Sequence, residues 1–383
     1  MQSEGQPVSP GLQWRVGSAA VMGMTGILSR SFVQLCSYTE VVGLDRFLKL
    51  LDERRDIEGR ERGLVTVSNH LSVVDDPAIW GVLPFSYIFN PDHLRWSLGS
   101  HDICYANSWS AEFFTFGQTL PTHRLKHSPH GGLFQPTMTQ AIRLLSRGPF
   151  AHARTNPSPA PSEQVLPASS ASPRDLADPF SSAHLTYSTT GLDVHPAPSA
   201  YLTRRHAWVH IFPEGMIHQT PDKTMRYFKW GVSRLILESD PCPDVVPIWI
   251  EGFDQVMHES RGWPRPFPRL GKKISVTFGE KLDVERVFGD LRRAWKKLYT
   301  REEAALLEKS GKGERMEVGE LTPTLKYGAE AVELRMACTM RVREEILKLR
   351  KARGYGDEDP KQGRVETWLQ EGDGREGKKE DGS

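Results

Sequence analysis

The stretch Leu64-Val65-Thr66-Val67-Ser68-Asn69-His70 constrains the fold more than any other part of the chain. Gly63 punctuates the chain just before it. Leu64 to Ser68, a short apolar run rich in β-branched residues and bounded in this way, reads as a buried strand that ends in Asn69-His70. Asp76-Pro77 follows closely. Aspartate suits a helix N-cap because its side chain accepts bonds from orphan backbone N–H groups. Proline suits the first helical position, where its missing N–H would be unpaired anyway. His70 is therefore placed in a strand-to-helix loop, where a rigid scaffold often carries catalytic groups.

The same reading extends along the chain and gives an α/β fold. Further strands are predicted at His206-Ala-Trp-Val-His-Ile-Phe, at Val245 to Ile250 and at Lys273 to Phe278. Pro247 suggests that the second of these is an edge strand or begins at the proline. Helices are predicted from Gln13 to about Tyr38, Leu44 to Glu53, Leu282 to Tyr299 and Ala329 to Lys351. Between the two halves, residues 149–205 are rich in Pro, Ser and Ala and lack sustained apolar periodicity. Such a segment cannot bury enough surface to offset its ordering entropy, so it is expected to be a disordered insertion. The expected organisation is a flexible start over 1–12, a folded part over 13–148, the insertion over 149–205, a second folded part over 206–353, and a charged, disordered tail over 354–383.

Charge and cysteine usage exclude some functions. Lys and Arg total 49 against 48 Asp and Glu, which leaves no global nucleic-acid signature. The four cysteines are scattered and form no C-x-x-C pair, which argues against a zinc knuckle or a disulfide framework. No secretory signal is read at the N-terminus. The apolar stretch Val16 to Leu28 falls short of the roughly 20 residues a spanning helix needs. A buried core helix and a helix lying in a membrane interface both fit it. Arg261 to Arg269 with Lys272 and Lys273 interleaves cations with Trp263 and Phe267, which suits an anionic headgroup layer or a plain solvated loop. Gly231 to Gly252 is a second apolar segment, broken by Glu238 to Asp244, and is expected to touch the membrane without crossing it.

His70 alone among the 13 histidines has an aspartate five positions on. An imidazole, with an ordinary pKa near 6.5, can take a hydroxyl proton at neutral pH. A carboxylate on its other nitrogen fixes the tautomer and stabilises the imidazolium. Asp75 is the expected partner and Asp76 the expected cap. Three more segments bear on the site. Phe116 to Arg124 offers Gly117 for close approach and Arg124 for a phosphate, with His123 and Lys126 beside it. Phe212-Pro-Glu-Gly215 follows a strand. There Glu214 could pair with Arg124 or bond a substrate hydroxyl, and Gly215 permits close approach. Val246-Pro247 is expected to line a pocket.

In order and spacing, N-H-x4-D, G-x-x-x-P-x-x-R, F-P-E-G and the apolar segment with proline resemble the glycerolipid acyltransferase family. The match covers about residues 13–148 and 206–280. It is similar most of all to that family's branch of phospholipid–lysophospholipid transacylases that remodel cardiolipin. Ile250-Glu-Gly-Phe-Asp departs from the branch's pattern after the fourth block. The resemblance implies a central mixed sheet flanked by helices, with C-terminal helices. It implies His70 as general base, Asp75 as its orienting carboxylate, and Gly117, Arg124, Glu214, Gly215 and Pro247 at the substrate. It implies phospholipid and lysophospholipid substrates, no metal, no cofactor and no nucleic acid. It also implies peripheral residence on mitochondrial membranes, outer or inner, facing the intermembrane space; protein partners stay unknown. Acyl-CoA-dependent transfer to a lysophospholipid or glycerol 3-phosphate, and a non-catalytic membrane scaffold, remain as alternatives. A serine hydrolase is disfavoured because no G-x-S-x-G elbow occurs.

Overall fold

The computed structural model describes residues 9–150, 185–310 and 316–369. Most of the expected flexible start, the centre of the expected insertion and the end of the tail lie outside the described residues. In chain order the helices are α1 Leu12–Leu35, α2 Leu44–Glu53, α3 Asp75–Trp80, α4 His101–Cys104, α5 Ser108–Phe116, α6 Pro136–Leu145, α7 Gly231–Leu237, α8 Phe253–Val256, α9 Val284–Ser310, α10 Pro323–Tyr327, α11 Ala329–Ala352 and α12 Val365–Leu369. The strands are β1 Ser37–Val42, β2 Leu64–Ser68, β3 Arg95–Ser100, β4 Thr119–Thr122, β5 Thr186–Tyr187, β6 His195–Pro196, β7 Trp208–Ile211, β8 Asp244–Glu251 and β9 Lys272–Phe278.

Seven strands form one sheet in the order β1-β9-β8-β2-β7-β3-β4, and β5 and β6 form a separate antiparallel pair. The large sheet is mixed: β8 and β9 run antiparallel, and the other neighbours run parallel. Every residue of β2 is buried. The reason is that both faces of the sheet are covered, and such strands read as continuous apolar runs. On one face Leu64, Trp208, Ile248 and Phe278 pack with Phe47 of α2 and Ile79 of α3. On the other, Val65, Val67, Val209 and Trp249 pack with Ile142 of α6, Leu235 of α7, Phe288 of α9 and Ile346 of α11.

Several expectations need correction. Pro247 lies in an interior strand, between β9 and β2. It is tolerated because the β8–β9 ladder starts one residue later, at Ile248. The Pro247 carbonyl faces the β9 side, where it accepts the Gly279 N–H at 2.8 Å. In a strand the N of a residue points the same way as its C=O, so the missing N–H falls where the ladder has run out. The helix expected to run to Tyr38 stops at Leu35, and Ser37–Val42 becomes β1, paired parallel with β9.

The N-terminal helix has 24 residues and is long and apolar enough to cross a membrane. It is not a buried core helix: Ser18, Met22, Gly23 and Val33 are its buried residues, while Leu12, Val16, Leu28 and Leu35 are exposed. It lies close against its neighbours, since a Cβ on Gly23 would come within 2.8 Å of Phe89. The segment from Gly231 to Gly252, by contrast, is core. Val232 to Leu237 and Val245 to Ile250 are buried throughout, so neither apolar run of this segment faces outward.

Residues 185–205, placed in the insertion by composition, fold onto the sheet edge. Ser199 Oγ donates to Gln140 at 2.8 Å, and Arg204 is buried, donating to the Pro91 carbonyl at 2.9 Å. The start of the expected tail is docked too. Buried Glu358 takes the Met225 N–H at 2.6 Å and pairs with Arg343 of α11 at 2.5 Å.

Candidate active site

β2, β7, β3 and β4 run parallel side by side, so their C-terminal ends share one rim of the sheet. Ligands of open α/β sheets bind outside such carboxyl ends. The first and third sequence blocks leave β2 and β7, which are direct neighbours with Val67 opposite Ile211.

Asn69 fixes the point where β2 stops. Its side chain donates to the Ile250 carbonyl at 3.0 Å and accepts the Ile250 N–H at 2.9 Å. His70 follows and is held on four sides. Its backbone N–H donates to Glu214 Oε1 at 2.8 Å, and its carbonyl accepts the His218 N–H at 2.9 Å. Its ring stacks on Phe212 with centroids 4.3 Å apart. Its Nδ1 lies 2.9 Å from Asp75 Oδ2. The same oxygen accepts the N–H groups of Leu71 at 2.5 Å and Ser72 at 2.7 Å. An ionised carboxylate only accepts, so Nδ1 carries the proton and Nε2 keeps a lone pair. The Asp75 side chain is fully buried while that of His70 is 21% exposed, so the dyad opens outward through the imidazole.

Asp75, not Asp76, is thus the residue that closes this turn, and α3 begins at Asp75 itself. Asp76 instead accepts from Trp80 Nε1 at 3.0 Å and pairs with Arg95 of β3 through two guanidinium nitrogens. Burial alone would raise the Asp76 carboxyl, but the Arg95 charge and His210 hold it below its ordinary value. For Asp75, burial wins over the bonds from His70, Ser72 and Leu71 and raises the carboxyl.

Glu214 is buried. Its Oε2 accepts the Arg226 N–H at 2.9 Å, so its two oxygens join the His70 turn to the segment entering α7. It pairs with neither Arg124 nor an open surface, contrary to expectation. Burial pushes its carboxyl up to about 7, against the pull of those two N–H groups. Gly215 takes a left-handed backbone, φ +67°, and a Cβ there would meet Lys229 at 2.8 Å. That φ favours glycine, and any side chain there would also have to move the end of Lys229.

The second block lies apart from this cluster of bonds. Arg124 is gripped by Asp102 through two nitrogens, its Nε donating at 3.0 Å. Asp102 is held down to about 2; burial opposes this, and the Arg124 bond is the largest force lowering it. Gly117 ends α5 with an ordinary φ of −73°, and the left-handed residue there is Gln118. His123 is buried, with its ring on Thr189 Oγ1 at 2.7 Å, so it does not stand ready for a phosphate; Lys126 is exposed. Pro247 sits within the sheet beside Gly279, a core position rather than a pocket wall.

Sequence reasoning missed three supports of the site. Arg95 was invisible because β3 was not drawn. His210, pushed down to about 3 by burial, packs edge-on against Phe212 behind the His70 ring. Gln219 donates to the Leu71 carbonyl at 2.6 Å, latching the His70 turn to the chain beyond Gly215, and nothing in its sequence neighbourhood signals this.

No family model matches the chain. It is similar to tafazzin of Saccharomyces cerevisiae, with 31% identity over 91% of this chain and 81% of the yeast protein. It is 27% identical to tafazzin of Drosophila melanogaster over 74% of this chain and 56% of the fly protein. It is also 26% identical to N-acylphosphatidylethanolamine synthase of Arabidopsis thaliana over 67% of each chain. An identity of 31% sustained over 356 residues, together with a His–Asp dyad at the sheet rim, identifies the chain as an acyltransferase belonging to the tafazzin family.

Proposed function

We propose that the chain moves acyl groups from a diacyl phospholipid to a lysophospholipid without CoA, with lysocardiolipin among its acceptors. The observation that carries this reading is the outward-facing His70, with Asp75 on Nδ1 and Nε2 left as base. His70 Nε2 takes the proton of the lysolipid hydroxyl, and that oxygen bonds to the donor's ester carbonyl carbon. Collapse breaks the donor's C–O bond, and the departing alkoxide recovers the proton from His70. Asp75 stabilises the imidazolium between the two transfers. Glu214 holds the His70 backbone, and Gly215 lets a lipid approach. Arg124, by exchanging Asp102 for a headgroup phosphate, binds substrate, with Lys126 at the exposed side. Gly117 and Pro247 act at a remove, by shaping the backbone on which these groups stand.

The substrate side draws support from the relatives: two are tafazzins, and the plant protein's name places an acyl group on a phospholipid. Attachment to the membrane is proposed through α1 and the loop of Trp263, Phe267 and Leu270, all three exposed. Gly271 N–H donates to the Cys36 carbonyl at 2.7 Å, so loop and helix end form one surface. By family, the surface is that of a mitochondrial membrane facing the intermembrane space, bound from one side.

The test supplies purified protein with a labelled diacyl phospholipid and an unlabelled lysolipid in mixed liposomes, with and without CoA. Label should move at equal rates in both arms. No movement there, combined with rapid transfer from acyl-CoA, would replace this reading with the acyl-CoA-dependent one.

A further inference from the structure

His101, His123 and Asp193 come from three distant parts of the chain and meet beside β4. His101 opens α4, His123 directly follows β4, and Asp193 lies between β5 and β6. Each offers one ligand atom, and these atoms all lie within 4.8 Å of one another. The two imidazoles stack with centroids 4.2 Å apart. No hydrogen bond from a His101 ring nitrogen is present among the described residues, so that lone pair is uncommitted. Both Asp193 oxygens have partners: Oδ1 accepts from Ser188 Oγ at 2.6 Å and from the N–H groups of Thr189 at 2.7 Å and Thr190 at 2.9 Å. Its Oδ2 meets Thr189 Oγ1, and His195 Nε2 at 3.0 Å.

From this arrangement we propose that His101, His123 and Asp193 bind one divalent transition-metal ion of the zinc class, with His195 bracing the carboxylate. Two neutral imidazoles and one carboxylate are a common ligand set for zinc, with a water in the fourth place. Ligands at about 2.0–2.2 Å from the ion would stand roughly 3.5 Å apart, so these side chains need close by only about 1.5 Å. Rotation of the partly exposed His101 ring and of the Asp193 carboxylate toward the buried His123 would supply it. Thr189 Oγ1 now sits between His123 Nε2 and Asp193 Oδ2, so the ion would displace that hydroxyl from Oδ2 while Oδ1 keeps its turn. Ligating carboxylates are themselves hydrogen-bonded in such sites, and His195 Nε2, 3.0 Å from Asp193 Oδ2, would do this here.

The ion is separate from the acyl transfer chemistry, for which the family resemblance implied no metal. Its consequence is mechanical. His101 precedes Asp102 and His123 precedes Arg124, so one ion would clamp both chain segments that carry the Asp102–Arg124 pair. It would also staple the 188–195 loop to them.

The experiment uses the full chain in detergent, stripped with a chelator. Zn²⁺ binding is followed by calorimetry and Co²⁺ binding by its visible ligand-field absorption. One ion per chain is expected, with a rise in melting temperature on Zn²⁺ addition. His101→Ala and His123→Ala should abolish the one-to-one stage, and His195→Ala should weaken it about 10- to 100-fold. His258→Ala, at an exposed histidine of another loop, should change nothing. His123→Gln, which can keep the bond to Thr189, guards against simple unfolding: a folded variant that loses the ion supports the site. No stoichiometric ion on the wild-type chain, or undiminished binding in folded His101→Ala and His123→Gln, would overturn it.

Discussion

Asp75 Oδ2 takes three donors, one from the His70 ring and two from the backbone turn. An asparagine there can keep all three through its carbonyl oxygen but removes the negative charge opposite the imidazolium. Asp75→Asn is therefore expected to fold normally by circular dichroism and to lose about 10²- to 10⁴-fold in acyl transfer rate, as is His70→Ala. Near-wild-type rates in either variant would discard the dyad. Glu214 gives a pH signature. Its folded pKa, about 7, lies above the ordinary 4.5, so the folded chain holds this proton more tightly than the unfolded one. The stability this contributes is full below the ordinary value and is lost as pH rises through about 7. Urea midpoints of wild type minus Glu214→Gln should fall between about pH 5 and pH 8; a flat difference would show that the carboxyl titrates elsewhere. The contact of His70 with Asp75 was legible because both sit in one short pattern beside a strand, while the bonds of Glu214 to the His70 and Arg226 N–H groups were not. Arg95 was not, because its partner Asp76 is 19 residues away and on another element.

Elements were legible where burial made them uniform. β2 and α2 have the residue bounds read from the sequence. β3 and β4 escaped because they lie toward the sheet's edge, where Arg95-Trp-Ser-Leu-Gly-Ser carries no clear apolar run and Pro121 interrupts β4. β4 is the edge strand, where a proline is tolerated, and β3 is its inner neighbour. The opposite error befell Gly231–Gly252, where apolarity meant core rather than membrane. Exposure, which sequence cannot report, separates that segment from α1. Leu28 and Leu35 of α1 are 64% and 82% exposed. If they enter lipid, Leu28→Asp and Leu35→Asp should each weaken sedimentation with cardiolipin-containing vesicles by about 10-fold, the worth of one buried leucine. Unchanged sedimentation in the double variant would remove α1 from the membrane contact. At the other end, Glu358 neutralises Arg343, which donates in turn to the carbonyls of Met225 and Arg226 next to the Glu214 clasp. Glu358→Ala leaves a buried cation without its counter-charge. A loss of about 3 kcal/mol is expected in denaturant unfolding, and a loss under 1 kcal/mol would mean that the docked tail is incidental.

At the scale of the molecule, the first and third blocks are neighbours in space although 144 positions separate His70 from Glu214. Everything between them is an excursion that leaves β2, builds the β3–β4 edge and returns along β7. Within it, the chain departs and re-enters the described fold at almost one point: Phe150 N–H donates to the Ser199 carbonyl at 2.9 Å, and Ala197 N–H to the Leu185 carbonyl at 2.7 Å. Replacing residues 151–184 with a short Gly/Ser linker should therefore leave transfer rates within about twofold, since closure entropy changes slowly with loop length. Loss of soluble, active protein would show that the segment carries structure of its own. The two bonds at Ser199 and Leu185 act as a seam. Because Phe150 and Leu185 are each tied to the 197–199 stretch, a fluorescent or affinity tag spliced between them should report on the enzyme in living cells without touching either terminus.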